Sequence, residues 1–300
     1  MDYYNYDRLM AECPNEIETI KFFQTNGLLH KERYCDCGSE MRGSTRTQRD
    51  TVIPVWRCTS KFCKTTKGLR PATWFDNSTL SFHSILKFIY WWSAEQTSVN
   101  FCRHEINMGH DAVVDWSMYM REACADSLLK HNGRVGGQGL TVEVDEALFS
   151  KRKNNIGRVL PEQWVFGGVC RETKEVFMVA VPNRTAETLL AVIRERIVEG
   201  TTIMSDCWRA YNMVGADGTY RHLTVNHSCN FIDPLSGAHT QNIERTWRSA
   251  KARNKRHSGT HRQMLDSYLC EFLWRANVKR REVDPFKEIL STIRSYMPPT

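Results

Sequence analysis

The sequence predicts a mixed α/β domain over its second half, preceded by a small cysteine-rich β-module and a helical region. Three observations predict it. A series of strand-like segments after residue 140 is interrupted by one amphipathic helix. Four cysteines cluster between residues 35 and 63. Wide apolar helical faces recur between residues 80 and 131.

The elements follow in order. Residues 1–30 form an N-terminal helical segment. Residues 31–76 are rich in Cys, Gly, Thr and Arg, with short alternating runs such as TVIPVWRC, which reads as β-hairpins with little core of their own. Residues 77–132 read as helices. The run LSFHSILKFIYWW carries Leu80, Ile85, Leu86, Phe88, Ile89 and Trp92 on one wide face. A second helix is expected over 97–106, a turn at Asn107-Met108-Gly109, and a third helix from Asp111 with Val113, Val114, Met120 and Cys124 inward. Helix, short Gly-containing turn, helix is the pattern of a helix-turn-helix. The Gly-rich stretch 133–139 is the expected linker, and 140–300 the α/β domain with its C-terminal helices.

Within that domain, LTVEVDEAL, WVFGGVC and VFMVAV read as three strands. Residues 185–199 form an amphipathic helix that Gly200 stops. TTIMSD and HLTV read as further strands, and helices are expected near 240–256, 260–281 and 284–296. This order points to a mixed sheet flanked by helices.

Cys35 and Cys37, followed by Cys58 and Cys63, have the layout of a zinc ribbon: a β-unit without a core needs a metal staple. The C-x-C and C-x₄-C spacings depart from the usual C-x₂-C, and Cys13 is an alternative ligand. One structural Zn²⁺ is expected. The other seven cysteines are scattered singly, as small buried hydrophobes are.

Net charge is +7, unevenly spread. Residues 42–70 carry eight Lys/Arg and one acid, and residues 245–262 carry seven Lys/Arg and no acid. Two basic segments on a nearly balanced background read as two surfaces for a polyanion, with solvated loops as the alternative. Candidate DNA contacts are Arg42, Arg46, Arg49, Lys61, Lys64 and Lys67 in the first, and Arg248, Lys251, Arg253, Lys255 and Arg256 in the second. His227, His239 and Asn242, just before Glu244, either contact DNA or pack their loop. No signal peptide and no membrane span is expected, so the thiols should be reduced.

Three acids stand out. Asp145 lies on the first strand with Glu143 on the same face, Asp206 ends a buried strand, and Glu244 begins a basic helix. Phosphodiester hydrolysis and transfer need an activated oxygen nucleophile and a stabilised leaving oxygen, which two Mg²⁺ (or Mn²⁺) ions about 3.5–4 Å apart supply. Carboxylates are the ligands such ions prefer. Taken singly, each acid also fits a cap or a solvated first turn. Lys251, seven residues after Glu244, falls on nearly the same helix face.

Residues 141–275 resemble the Merlin superfamily of DDE transposases and its bacterial insertion-sequence relatives. The matching stretches are VEVDEALFSKRK, WVFGGV, VPNRTAETLL, MSDCWRAY and LTVNHSCNFIDPLSGAHTQNIERTWRSAK. The resemblance implies an RNase H-like catalytic domain that performs cut-and-paste transposition. It makes Asp145, Asp206 and Glu244 the metal ligands and Lys251 the basic member of the signature. It also implies double-stranded DNA partners (terminal inverted repeats and target) and a homodimer or larger assembly. The expected location is the nucleus of a eukaryotic host, or the cytoplasm and nucleoid of a bacterial one. The alternatives are an RNase H-like nuclease that does not join strands, and a DNA-binding protein without catalysis.

Overall fold

The computed structural model describes residues 4–48, 51–131, 133–149, 162–226, 232–234, 237–256 and 262–300. The chain divides into two compact units. One comprises residues 1–127 and 282–300, the other residues 128–281. No helix among the described residues is long and apolar enough to cross a membrane.

The first unit begins with α1 (Tyr6–Glu12) and α2 (Glu16–Thr25). Asn5 and Asn15 cap them by accepting from the backbone N–H groups of Arg8 and Glu18. Strands β1 (Arg33–Tyr34), β2 (Glu40–Gln48), β3 (Thr51–Cys58) and β4 (Thr66–Gly68) form an antiparallel sheet in the order β1-β2-β3-β4. Helices α3 (Phe82–Ser93), α4 (Val99–Glu105) and α5 (His110–Lys130) follow. Ser81 and Ser98 cap the first two, and the Glu16 carboxylate also accepts from the N–H groups of Phe82 and His83 at the start of α3. The core is aromatic: Phe23, Phe75, Phe82, Phe88 and Trp92 are buried, with Phe75 in ring contact with both Phe23 and Phe82.

Two details differ from the sequence-based expectation. The last helix, α9 (Pro285–Tyr296), belongs to the first unit, not to the 140–300 domain. Its apolar stripe, Phe286, Ile289, Leu290 and Ile293, is buried, and Phe286 meets Tyr90 of α3 and Phe22 of α2. Val114 points outward, at 47% exposure, while Val113, Met120 and Cys124 are inward as expected.

The second unit is built on a five-stranded sheet. Its members are β5 (Thr141–Leu148), β6 (Trp164–Cys170), β7 (Val176–Val181), β8 (Thr202–Asp206) and β9 (Arg221–Val225), in the order β7-β6-β5-β8-β9. The first three pair antiparallel, and β5-β8-β9 pair parallel. Helix α6 (Ala186–Arg196) makes the crossover between β7 and β8, and α7 (Gln241–Arg256) and α8 (Leu265–Arg280) complete the unit. This mixed sheet with its helices is an RNase H-like fold.

Alternation divides β5 between two cores. Val142 and Val144 join Leu189 and Ile193 of α6, whereas Ala147 joins Ile243 and Trp247 of α7 and Leu265 and Leu269 of α8. Glu143 and Asp145 share the face of Ala147 and so are directed to the side of α7. Gly167, paired with Asp145 across the sheet, lets α7 lie close: a Cβ there would sit 2.8 Å from the Trp247 ring and 3.0 Å from the Phe177 carbonyl oxygen. Substitution Gly167→Val should therefore cost about 1–3 kcal/mol by overpacking, read as a lower urea midpoint. An unchanged midpoint would show that Trp247 repacks freely.

Candidate active site

Asp145 lies within β5, Asp206 is the last residue of the neighbouring parallel strand β8, and Glu244 is in the first turn of α7. The C-terminal end of parallel strands is where α/β folds place their sites. The Asp206 carboxylate accepts from the Trp208 N–H at 2.9 Å, and Glu244 accepts from the Thr240 hydroxyl at 3.1 Å. The three acids act on one another electrostatically. The Asp145 carboxyl is pushed up to about 7, chiefly by burial, then by the negative charges of Glu146, Asp206 and Glu244.

Burial and the neighbouring negative charges disfavour Asp145 as a bare anion, and hard oxygen donors of this kind suit Mg²⁺ or Mn²⁺. Lys251 shares α7 with Glu244, and its Nζ lies over the Phe149 ring, 5.4 Å from the centroid.

Glu143 holds this arrangement together. Its side chain is fully buried. One carboxylate oxygen accepts from the backbone N–H groups of Asn242 (2.8 Å) and Ile243 (3.1 Å). The other accepts from Asn242 Nδ2 (2.7 Å) and Arg171 Nε (2.6 Å). Arg171 also donates to the His239 carbonyl at 2.7 Å. A buried carboxylate on β5 thus caps the N-terminus of α7, where orphan N–H groups and the helix dipole favour an anion. Glu244 is one residue beyond the capped pair. Glu143 was placed on the Asp145 face from alternation, but its role was not legible, because all its donors lie 28 to 100 residues away.

Asn242 and His239 are engaged in the same knot. The Asn242 amide is turned to Glu143, and His239 Nδ1 lies 3.4 Å from the same carboxylate. Loop packing, the alternative left open for these two residues, is what their contacts describe.

The four cysteines converge. Sγ atoms of Cys35 and Cys63, and of Cys37 and Cys58, are 3.6 Å apart, and all four lie within 4.8 Å. A disulfide would need about 2.05 Å. Four thiolates around Zn²⁺ at about 2.3 Å define a tetrahedron with edges of about 3.8 Å. The tight C-x-C turn closes through Gly38, whose N–H donates to the Cys35 carbonyl and whose φ is +81°. Hydrogen bonds from Ser39 pull the Cys37 thiol down to about 6, and burial pushes Cys58 up to about 12. A cation among them would hold the cluster as thiolates. Cys13 is buried at the end of α1 and outside this set. Purified protein should contain one zinc per chain by metal analysis. Substituting Ser for Cys58 should abolish zinc binding and the ordered β1–β4 sheet, leaving the circular dichroism of the second unit in place. Stoichiometric zinc in that variant would sink the assignment.

Arg42, Arg46, Lys61 and Lys64 are exposed around this sheet, and Lys67 pairs with Asp36 at 2.5 Å. Arg57, which the sequence did not single out, lies directly across from Arg42 in the β2–β3 register and is also exposed. Facing like charges weaken a hairpin, so this pair is informative in a way that needs the register to be seen. Arg248 is exposed on α7. Arg49 and His227 lie outside the described residues, as do the side chains of Arg253, Lys255 and Arg256.

The helix-turn-helix expectation fares differently. The spacing of α4, turn and α5 is as read, yet the exposed face of α5 carries Asp111, Val114, Asp115, Met118, Tyr119 and Glu122. The exposed acids Asp111, Asp115 and Glu122 disfavour phosphate contact along this face.

Residues 135–277 match the model of the ISXO2-like transposase domain. A relative from Haemophilus influenzae, described as an uncharacterized transposase-like protein, is 29% identical over 103 residues, which is 34% of this chain and 81% of the relative. Among solved structures, a chain of the simian T-cell lymphotropic virus intasome in complex with PP2A regulatory subunit B56 gamma aligns at 18% identity and a TM-score of 0.32, over 47% of this chain. The match spans about half (49%) of that chain. The catalytic core domain of BIV integrase aligns at 14% identity and a TM-score of 0.29, over 43% of this chain and 80% of that one. The HTLV-2 integrase catalytic core domain in complex with magnesium aligns at 13% identity and 0.29, over 47% and 86%. The family named by the match is an insertion-sequence one, among the relatives that the resemblance covers. Residues 135–277, which match the ISXO2-like transposase domain, fall within the second unit of this chain.

Proposed function

We propose that the chain is a DNA transposase that binds terminal inverted repeats, cleaves the element ends and joins their 3′-OH to target DNA. The observation that carries this reading is the placing of Asp145 and Asp206 on the adjacent parallel strands β5 and β8, with Glu244 in the first turn of α7, near enough that Asp206 and Glu244 both push the Asp145 carboxyl up. Bound there, Mg²⁺ ions would supply Lewis-acid activation of the attacking oxygen and stabilisation of the leaving one. Asp145, Asp206 and Glu244 would hold those ions through their carboxylate oxygens. Glu143 and Arg171 fix the start of α7 so that Glu244 stays opposed to the strands. Lys251, about two turns further along the same helix, holds a phosphate of the bound end.

Affinity for DNA is assigned to the zinc ribbon, where Arg42, Arg46 and Arg57 form a basic stripe, and to the basic part of α7. Such phosphate contacts position a duplex without reading it. Two ends are processed together, so a homodimer or larger assembly is expected, acting wherever the host keeps its DNA. A labelled duplex carrying an element end, incubated with target plasmid and Mg²⁺, tests the reading. Joined product supports transposition. Cut ends without joining would reduce the protein to a nuclease, and binding without cutting would overturn the catalytic reading.

A further inference from the structure

Three flat side chains meet beside Asp206. The Arg184 guanidinium carbon lies 4.1 Å from the centroid of the Trp164 ring and 4.9 Å from that of Trp208. Arg184 is steadied by Glu146, 3.6 Å away, whose other oxygen accepts from the Tyr211 hydroxyl. Trp164 is steadied by its own Nε1–H, which donates to Glu162 at 2.8 Å. Trp208 is tied to the site through its backbone N–H on the Asp206 carboxylate. Its indole, however, belongs to neither of the two cores that sandwich β5, and it is 36% exposed.

An indole lying against a cation, with part of its surface open, is a poor element of a core and a good stacking surface. Every nucleobase offers a π-face to it, and the guanidinium adds cation–π attraction and charge toward the phosphate. Bases within a duplex are already stacked on their neighbours and cannot use it. The chemistry therefore selects one unpaired base, at a strand end or flipped out at the position being cut. We propose that Trp208, backed by Arg184 and Trp164, is the stacking site for a single unpaired nucleobase next to the scissile phosphate. The inference rests on the transposase reading of Asp206 and adds to it a contact that holds the cut end open.

The test uses the full chain with Mg²⁺ and two labelled duplexes of one element end. One is fully paired, and the other is mismatched over two nucleotides at the cleavage position. Trp208→Ala should cut the paired end about 10-fold to 100-fold more slowly, the range that one stacked base is worth. On the mismatched end, where unpairing no longer has to be driven, the defect should shrink to about threefold. Trp208→Phe, which keeps a stacking ring, should stay near wild type on both. A defect of equal size on both duplexes, or none on the paired one, would overturn the proposal while leaving Asp206-dependent cleavage intact. Wild-type protein that binds both duplexes and cuts neither would overturn the transposase reading itself, and this inference with it. A second photochemical readout decides independently. 5-Iodo-2′-deoxyuridine at the cleavage position should cross-link to Trp208 in the wild-type complex, and a cross-link mapped elsewhere counts against the site.

Discussion

Cleavage by the Asp206→Ala protein is expected to fall by on the order of 10³-fold or more, with end binding within about threefold of wild type. Losing a metal-holding carboxylate removes stabilisation of both the attacking and the leaving oxygen, worth several kcal/mol. Binding is spared because phosphate affinity comes from the basic surfaces, and removing an anion near the site relieves repulsion. Asp206 is only half-buried at a strand end, so the substitution leaves no cavity in either core. Gel-shift and cleavage assays on the same preparation measure the two quantities side by side. Full cleavage by this variant would remove Asp206 from the metal site.

Replacing Glu143 by Ala is expected to cost about 3–5 kcal/mol of stability, the penalty for breaking a buried ion pair from one side. Arg171 would be left without its 2.6 Å partner, and two helix N–H groups without their acceptor. A domain is typically stable by only about 5–15 kcal/mol, so the loss should be plain as a lower urea midpoint. Glu143→Gln keeps the shape and an acceptor oxygen but not the charge. It should lose less stability while still slowing cleavage, because α7 is then held less firmly and Glu244 with it. A Glu143→Ala protein within 1 kcal/mol of wild type would show that the N-terminus of α7 is secured by Trp247 on Gly167 alone.

How much of this could be read without coordinates varies by element. The strands of the second unit, the positions of Asp145 and Asp206 upon them and that of Glu244 early on a helix were legible, because alternation, apolar runs and helical periodicity mark elements directly. The clustered cysteines were legible in number, while their irregular spacing left Cys13 open as an alternative; the Sγ atoms of Cys35, Cys37, Cys58 and Cys63 come together without it. The turn between α4 and α5 was legible, but the charge on the outward face of α5 depends on which residues are buried, and Val114 was placed on the wrong side. Helix α9 was legible as a helix but its partner was not, since any apolar groove of the right width satisfies an apolar stripe such as Phe286, Ile289 and Ile293. Glu143 shows the general limit: its neighbours in sequence identify a strand face, whereas its acceptor role is defined by Arg171, Asn242 and Ile243.

The unit carrying the three acids is one unbroken run of chain, 128–281, set within a unit that residues 282–300 complete. During synthesis, at about 5–20 residues per second, every strand and helix of the inner unit has been made before Phe286, Ile289 and Ile293 exist to fill the outer one. The outer unit, with the cysteine-bound sheet, is therefore finished last. Order of birth thus lets the RNase H-like unit be assembled before the unit that holds the cysteine cluster has received helix α9.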